Sequence, residues 1–148
     1  MVKMWWFYGI NVATLLREGT MPSIFSTVPD KDYLEFDSGT GLDYQKVVKF
    51  AELEKKDVSR ATDIPVSSIR YEVEKMPKEL KDRLTEWANL FNLVAEYFKG
   101  DVRKTSLWFK MPNPLLGNIS PKDMIRIGRY KKLISFVLNS LNENRRAS

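Results

Sequence analysis

Apolar side chains recur at helical spacing along most of the chain after residue 42, most clearly in the segment 78–98. The apolar positions of this segment step by three and four residues and therefore share one face of a helix. That face carries Leu80, Leu84, Trp87, Phe91, Val94 and Phe98. Pro77 ahead of the segment and Gly100 behind it are typical of a helix start and a helix end. We predict one long central helix whose apolar stripe forms core rather than a cofactor pocket.

Shorter helices are predicted on both sides of this central helix. Ahead of it, the pattern predicts a helix capped by Asp43, a second helix over 56–62, and a third from Val66 through Tyr71. Behind it, three further helices begin at Asp101, Ser120-Pro121 and Arg129. The predicted fold class is therefore all-α, with an N-terminal helix-turn-helix bundle joined by the long helix to a small helical C-terminal domain.

The order of helix, short turn and helix over 56–71 is typical of a helix-turn-helix. Its turn carries Asp63 where glycine is usual, and Asp tolerates a left-handed backbone. Hydroxyl and guanidinium groups on the outer side of a recognition helix suit base edges and phosphates. The predicted DNA-binding residues are Ser67, Ser68, Arg70 and Tyr71 on that helix, with Lys55, Lys56 and Arg60 as phosphate contacts. The alternative is a three-helix core piece that touches no DNA.

The stretch 108–121 predicts a shaped loop between two helices. Prolines on either side of Asn113 forbid helix there, because each lacks an N–H and restricts the residue before it. Gly117-Asn118 follows, and these two residue types most readily accept a left-handed backbone. We expect Leu115 and Leu116 to turn inward.

Composition argues against catalysis. The 148 residues include no histidine and no cysteine, so the commonest general base, the commonest metal ligand and any disulfide framework are missing. Glutamates spaced i,i+2, at 52 and 54 and at 72 and 74, point to different faces of a helix and do not suit paired acid–base work. No phosphate-binding glycine loop occurs. We expect a cytoplasmic protein that is not an enzyme and carries neither cofactor nor metal.

The net charge of +5 is unevenly distributed. Residues 1–42, predicted to be a poorly structured or accessory N-terminal arm, carry −2, and residues 43–98, the predicted DNA-reading domain, carry −1. Residues 99–148 carry eleven basic and three acidic side chains, a net charge of +8. A cationic surface in this C-terminal domain should seek phosphates or an acidic protein surface. The alternative is an ordinary solvated face.

The sequence WFKMPNPLLGNISP, residues 108–121, resembles the C-terminal domain of the Xre/MbcA/ParS-type antitoxins. The pattern of that family is Trp, an apolar residue, two variable positions, Pro-Asn, two variable positions, Leu-Gly-Gly, two variable positions and Pro. The positions in register are Trp108, Phe109, Pro112, Asn113, Leu116, Gly117 and Pro121. Asn118 replaces the second glycine. An Ile-x-x-Gly-Arg segment of the family matches Ile125, Gly128 and Arg129, and the resemblance covers residues 43–141.

This resemblance implies an antitoxin that pairs with a RES-domain toxin, a class that consumes NAD⁺ or transfers from it. The C-terminal domain would grip the toxin and obstruct its NAD⁺ pocket, while a homodimer would repress its own operon at operator DNA. The implied toxin-binding residues are Trp108, Pro112, Asn113, Leu116, Gly117, Pro121, Ile125, Gly128 and Arg129, and Tyr130 is added because Tyr is a common interface anchor. The alternative for the loop is that much of it serves the fold rather than the contact.

Two rival functions stay open at this point. One is an orphan helix-turn-helix transcription regulator that has no toxin and uses the basic C-terminal third for DNA or dimerisation. The other is an adaptor that binds another protein and has lost DNA binding. A gene for a RES-type toxin beside this one would favour the antitoxin.

The first twenty residues suggest a different translation start. Their apolar run, Met4 to Leu16, is too short to span a bilayer and lacks a clear cleavage site. Glu18-Gly19 lies just ahead of Met21, and codons for Glu and Gly begin with GA and GG, as a purine-rich ribosome-binding sequence would. If translation begins at Met21, mass spectrometry of the natively expressed protein finds N-terminal peptides starting there. An intact Met1 peptide would end the hypothesis.

Overall fold

The computed structural model describes residues 31–147, with side chains over 31–143. Within this part the chain forms six α-helices, two 3₁₀ turns and no β-strand, which confirms the all-α prediction. The α-helices are α1 (Tyr44–Phe50), α2 (Lys55–Thr62), α3 (Lys78–Tyr97), α4 (Val102–Lys110), α5 (Pro121–Arg126) and α6 (Tyr130–Ala147). The 3₁₀ turns are Val66–Ser68 and Pro114–Leu116. The hypothesis of a start at Met21 lies outside the described residues.

Side-chain caps begin the helices where the sequence predicts them. The Asp43 carboxylate accepts a hydrogen bond from the backbone N–H of the third residue of α1, Asp101 does the same for α4, and the Ser120 hydroxyl does so for α5. Each cap satisfies one of the backbone donors that a helix start leaves open. Left-handed residues end α2 and α3, with φ of 59° at Asp63 and 82° at Gly100.

The core is built around α3. All predicted stripe residues are buried except Phe98, which is half-buried. Helices α1 and α4 both pack against α3, and α5 contacts α2, α4 and α6. Buried apolar residues of the predicted N-terminal and C-terminal domains belong to one hydrophobic cluster. The division of the chain at residue 98 stays a prediction.

Part of the predicted accessory arm belongs to the packed fold. Leu34 and Phe36 are buried in the core cluster. The N–H of Leu34 donates to the side-chain oxygen of Asn92 on α3 at 3.0 Å, and the Asn92 amide donates to Asp32 at 3.0 Å. Leu34 and Phe36 therefore belong to the core, while the assignment of residues 1–42 as a poorly structured or accessory arm stays a prediction.

The predicted third helix, Val66 through Tyr71, does not form. The segment makes one 3₁₀ turn, Val66–Ser68, and the next residue, Ile69, is extended with ψ of 103°. Serines compete with a helix through their own hydrogen bonds, and β-branched residues lose rotamer freedom in one. Ile69 is fully buried in this extended geometry, so its side chain joins the core without a helix at this place. A helix-turn-helix is therefore not shown by the structure.

Gly100 offers a test of how α3 is joined to the segment before α1. A Cβ at this position would lie 2.9 Å from Cδ1 of Tyr33, and φ is +82°. Gly100→Ala should lower the free energy of unfolding by about 2–4 kcal/mol, through backbone strain plus displacement of the ring. Urea denaturation measures the loss.

Gly117→Ala is the matched control, because φ there is +74° and no atom lies within 4 Å of the added Cβ. It should cost only the backbone strain, about 1–2 kcal/mol. Equal losses in the two variants would show that Tyr33 is not packed against Gly100.

Candidate functional site

The loop between α4 and α5 is held by the side-chain and backbone hydrogen bonds of one residue, Asn113. Its Oδ1 accepts from the backbone N–H of Leu115 at 2.9 Å. Its backbone N–H donates to the carbonyl of Ile119 at 3.1 Å, and its carbonyl accepts from the N–H groups of Leu116 and Asn118 at 2.9 Å each. The two ends of the loop are thereby closed on each other. The predicted shaped loop is confirmed.

The predicted left-handed pair is also confirmed. Gly117 has φ of 74° and Asn118 has φ of 64°. Asn118 stands where the antitoxin pattern has its second glycine, and its left-handed backbone shows why the replacement is tolerated. The loop can therefore take the same turn with Asn as with Gly.

Much of the family-like motif lies in the interior. Trp108, Asn113 and Ile125 have no solvent exposure, and Pro121 is buried. The Trp108 ring packs edge-on against Phe109 with centroids 5.0 Å apart. These residues shape and anchor the loop, so a partner cannot touch their side chains without opening the fold.

Tyr130, predicted as an interface anchor, is a core residue in the structure. It is 5% exposed at the start of α6. Burial raises the pKa of its hydroxyl, and the charge of Glu86 on α3 adds to the rise. The expectation of a surface contact is wrong here, because the first turn of α6 faces α3 with this ring.

The expectation that both leucines of the loop turn inward is half wrong. Leu116 packs partly against the core, whereas Leu115 is 62% exposed. A 3₁₀ turn places successive side chains about 120° apart, so neighbours in Pro114–Leu116 cannot share one direction. Leu115 is therefore an apolar side chain held out to solvent at the tip of a closed loop.

A groove runs between this loop and α6, with a volume of about 650 Å³. Its loop wall includes Leu115, Leu116 and Gly117, and its floor includes Met124. Its α6 wall consists of Arg129, which directly precedes α6, and of Lys132, Ser135, Phe136 and Asn139 on the helix. We call this surface the apolar–basic groove. It can take an apolar side chain while offering two cations to a neighbouring acidic group.

Sequence reasoning found one wall of this groove and missed most of the other. Gly117, Leu116 and Arg129 were expected contacts and line it, and Gly128 is exposed beside it. The α6 positions from Lys132 onward were not singled out. Their spacing of three and four residues predicts one face of a helix. The buried apolar residues of α6 have the same spacing and a stronger pattern, so they obscure this second face in the sequence.

The helices on either side of the loop are tied to the end of α1. Glu52 accepts from Lys110 of α4 at 3.1 Å and from Lys122 of α5 at 3.2 Å. These hydrogen bonds, that of Lys110 first, lower the pKa of the Glu52 carboxyl. Arg126 is paired with Asp123 at 3.0 Å. Three cations near the loop are thus already occupied by carboxylates.

The residues predicted to bind DNA do not share a helix. Lys55, Lys56 and Arg60 are exposed on α2, and Lys56 pairs with Glu54 at 3.2 Å. Ser67 and Arg70 are exposed, whereas Ser68 and Tyr71 are half-buried in or after the 3₁₀ turn. Burial raises the pKa of the Tyr71 hydroxyl. DNA binding by this set stays a prediction.

Two features are absent from the part of the chain that the structure describes. No helix within 31–147 is both long and apolar enough to cross a membrane. No group of three or more His, Cys, Asp or Glu side chains in that range is placed to hold a metal ion.

Asn113→Ala tests whether this side chain holds the loop. It removes the acceptor of the Leu115 N–H, so the free energy of unfolding should fall by about 1–2 kcal/mol, measured by urea denaturation. Asn139→Ala is the matched control, since Asn139 is exposed on α6 and Ala is the better helix former. Equal stability of the two variants would contradict the role of Asn113.

Curated relatives are found for most of this chain. Three of them, each named mycobacterial cidal antitoxin MbcA, are 29% identical to it over 98 residues, which is 66% of this chain and 77% of each relative. They come from Mycobacterium bovis and from two strains of Mycobacterium tuberculosis. No protein-family model and no solved structure matches the chain. This distant homology to MbcA supports an antitoxin family.

Proposed function

We propose that the chain is the antitoxin of a type II toxin–antitoxin system, which neutralises a RES-domain toxin by binding it directly and represses its own operon. The toxin would be NAD-consuming or ADP-ribosylating. The apolar–basic groove is the observation that carries this proposal, because it lies on the motif shared with antitoxins and presents exposed apolar surface beside cations.

The solvent exposure of Leu115 supports its role as the apolar anchor at the centre of a toxin contact. Burying a leucine side chain contributes about 1.5–3 kcal/mol, and its present exposure of 62% leaves most of that surface to be covered. The closed hydrogen bonds of the loop fix the backbone beneath it. Binding of a partner therefore costs little conformational entropy of the loop, which is the advantage of a preorganised contact.

The α6 wall of the groove supports an acidic partner surface. Arg129 and Lys132 line this wall, and complementary charge on a partner speeds association and fixes its register. Ten residues line the groove, whereas a stable interface takes about 20–30 residues from each partner and buries about 1,200–2,000 Å² in total. Loop and α6 would thus form the centre of a wider contact, with Leu115 as its anchor.

Repression of the operon is the second part of the proposal. Exposed Lys55, Lys56 and Arg60 on α2 support a contact with operator phosphates. The near-neutral charge of residues 43–98 implies that one copy binds DNA weakly. This favours a homodimer, because two joined modules gain avidity for the same DNA. The 3₁₀ turn Val66–Ser68 stands where operator reading and the alternative of an orphan regulator both call for a recognition helix, so this turn does not favour one over the other.

Leu115→Glu tests the antitoxin assignment. It places a charge on the loop tip, so affinity for a RES-domain toxin that the wild-type chain binds should fall at least about 30-fold, as for an interface hot spot. Titration calorimetry with a purified RES-domain toxin measures the affinity, and cellular NAD⁺ during co-expression measures neutralisation. Leu107→Glu is the matched control, since Leu107 is 50% exposed on α4 and does not line the groove.

Two results would contradict the proposal. Collapse of NAD⁺ during co-expression of the wild-type chain, with no complex on size-exclusion chromatography, would reject the antitoxin role. Equal affinity of the Leu115→Glu and Leu107→Glu variants would reject the groove as the contact while leaving the antitoxin role intact.

A further inference from the structure

A second concave surface lies at the start of α6, beside the apolar–basic groove. It has a volume of about 490 Å³ and is bordered by Ala61 of α2, Arg83 of α3 and the stretch 128–132. An added Cβ on Gly128 would lie 3.9 Å from the carbonyl oxygen of Arg60, so the end of α2 approaches the start of α6 here. We call this surface the basic cleft.

We propose that the basic cleft binds the phosphate backbone of duplex DNA without reading its sequence. The proposal rests on the DNA binding proposed above and deepens it. It assigns phosphate contacts to Arg129, Lys131 and Lys132 at the start of α6, a place that the predicted helix-turn-helix does not include.

The charge of the cleft is unbalanced. Arg129, Lys131 and Lys132 are exposed and form no ion pair with any described carboxylate. The remaining cation of the cleft, Arg83, is paired with Glu86 at 3.0 Å. Three like charges within four residues repel one another. A polyanion bound at the cleft would offset this repulsion, because it attracts all three cations.

The paired cations nearby sharpen this contrast. Lys110, Lys122 and Arg126 each contact a carboxylate within 3.2 Å. The cations that support the loop therefore have carboxylate partners. Among the described residues, Arg129, Lys131 and Lys132 at the cleft have no carboxylate partner. Cations left unpaired on a concave surface are suited to an external anion.

The lining of the cleft favours a phosphate backbone over other anions. Its apolar parts are Ala61, Gly128 and Tyr130, and the Tyr130 ring is buried, so no aromatic face is offered for stacking a base. An acidic protein surface would need apolar contact area at its centre, which the apolar–basic groove has and the basic cleft lacks. Phosphates of a duplex require only charge and N–H donors.

The two surfaces share some residues and can still be tested separately. Arg129 and Lys132 line both of them. Lys131 lines only the basic cleft, and Leu115 lines only the groove. Lys131→Glu therefore addresses DNA without touching the proposed toxin contact.

The experiment measures binding of the full-length chain to a 25-base-pair duplex of random sequence by fluorescence anisotropy, over a series of salt concentrations. One phosphate contact contributes about 0.9 to the slope of log affinity against log salt. Lys131→Glu should weaken binding on the order of tenfold near 0.1 M salt and reduce the slope by about 1. Lys104→Glu, the same charge change at an exposed residue of α4, should leave binding within about twofold.

The outcomes separate this inference from the proposed function. Equal weakening by Lys131→Glu and Lys104→Glu would overturn the cleft, because the effect would then follow net charge alone. Displacement of the duplex by polyglutamate at equal charge concentration would also overturn it, in favour of an acidic protein. No binding of the wild-type chain at 50 mM salt would reject both the cleft and operator binding, while the Leu115→Glu measurement with the toxin would still decide the antitoxin role.

Discussion

The packing of rings around Phe91 is the interaction on which the rest of the structure depends. Its centroid lies 6.3 Å from that of Phe36, 5.0 Å from Phe50 and 4.9 Å from Phe109. These rings come from the segment before α1, from α1 and from α4. Each aromatic pair contributes about 0.5–1.5 kcal/mol beyond the area it buries. Because α4 leads directly into the loop, the position of the candidate site is set by this cluster in the core.

The residues that shape the loop are buried, and different residues are exposed on its surface. Asn113 and Trp108 shape the loop from inside, whereas Leu115 and the cations of α6 face solvent. The motif that resembles the antitoxin pattern therefore describes how the loop is built, and exposed side chains such as Leu115 lie at its surface. This separation allows the contact surface to change in sequence while the loop keeps its geometry.

Elements specified by local chemistry could be predicted from the sequence. Caps at Asp43, Asp101 and Ser120, and the left-handed pair Gly117-Asn118, are decided by neighbouring backbone groups. The long stripe of α3 was also readable, because nearly every apolar position repeats at the helical period. These features need no knowledge of what the rest of the chain does.

Features decided by tertiary packing could not be predicted in this way. Ile69 is buried where the chain is extended, and Tyr130 is buried at the start of α6 within reach of charged groups of α3. The groove was found in part, since its loop wall lies in the motif and its α6 wall is recognisable only once both elements are placed. Sequence periodicity gives the face of one helix but not the surface that two elements make together.

The hydrogen bonds of Asp32 have a consequence for the segment 31–42. Burial opposes ionisation of Asp32, but the backbone N–H groups of Asp37 and Phe36 and the Asn92 amide outweigh it, so the pKa of this carboxyl lies below its ordinary value of 3.8. A lowered pKa in the folded state means that the charged form stabilises the fold fully above that ordinary value and ceases to do so as the pH falls through the folded-state pKa. The hydrogen bonds that Asp32 accepts from the Asn92 amide of α3 and from the N–H of Asp37 are therefore weakened in acid and fully formed at neutral pH.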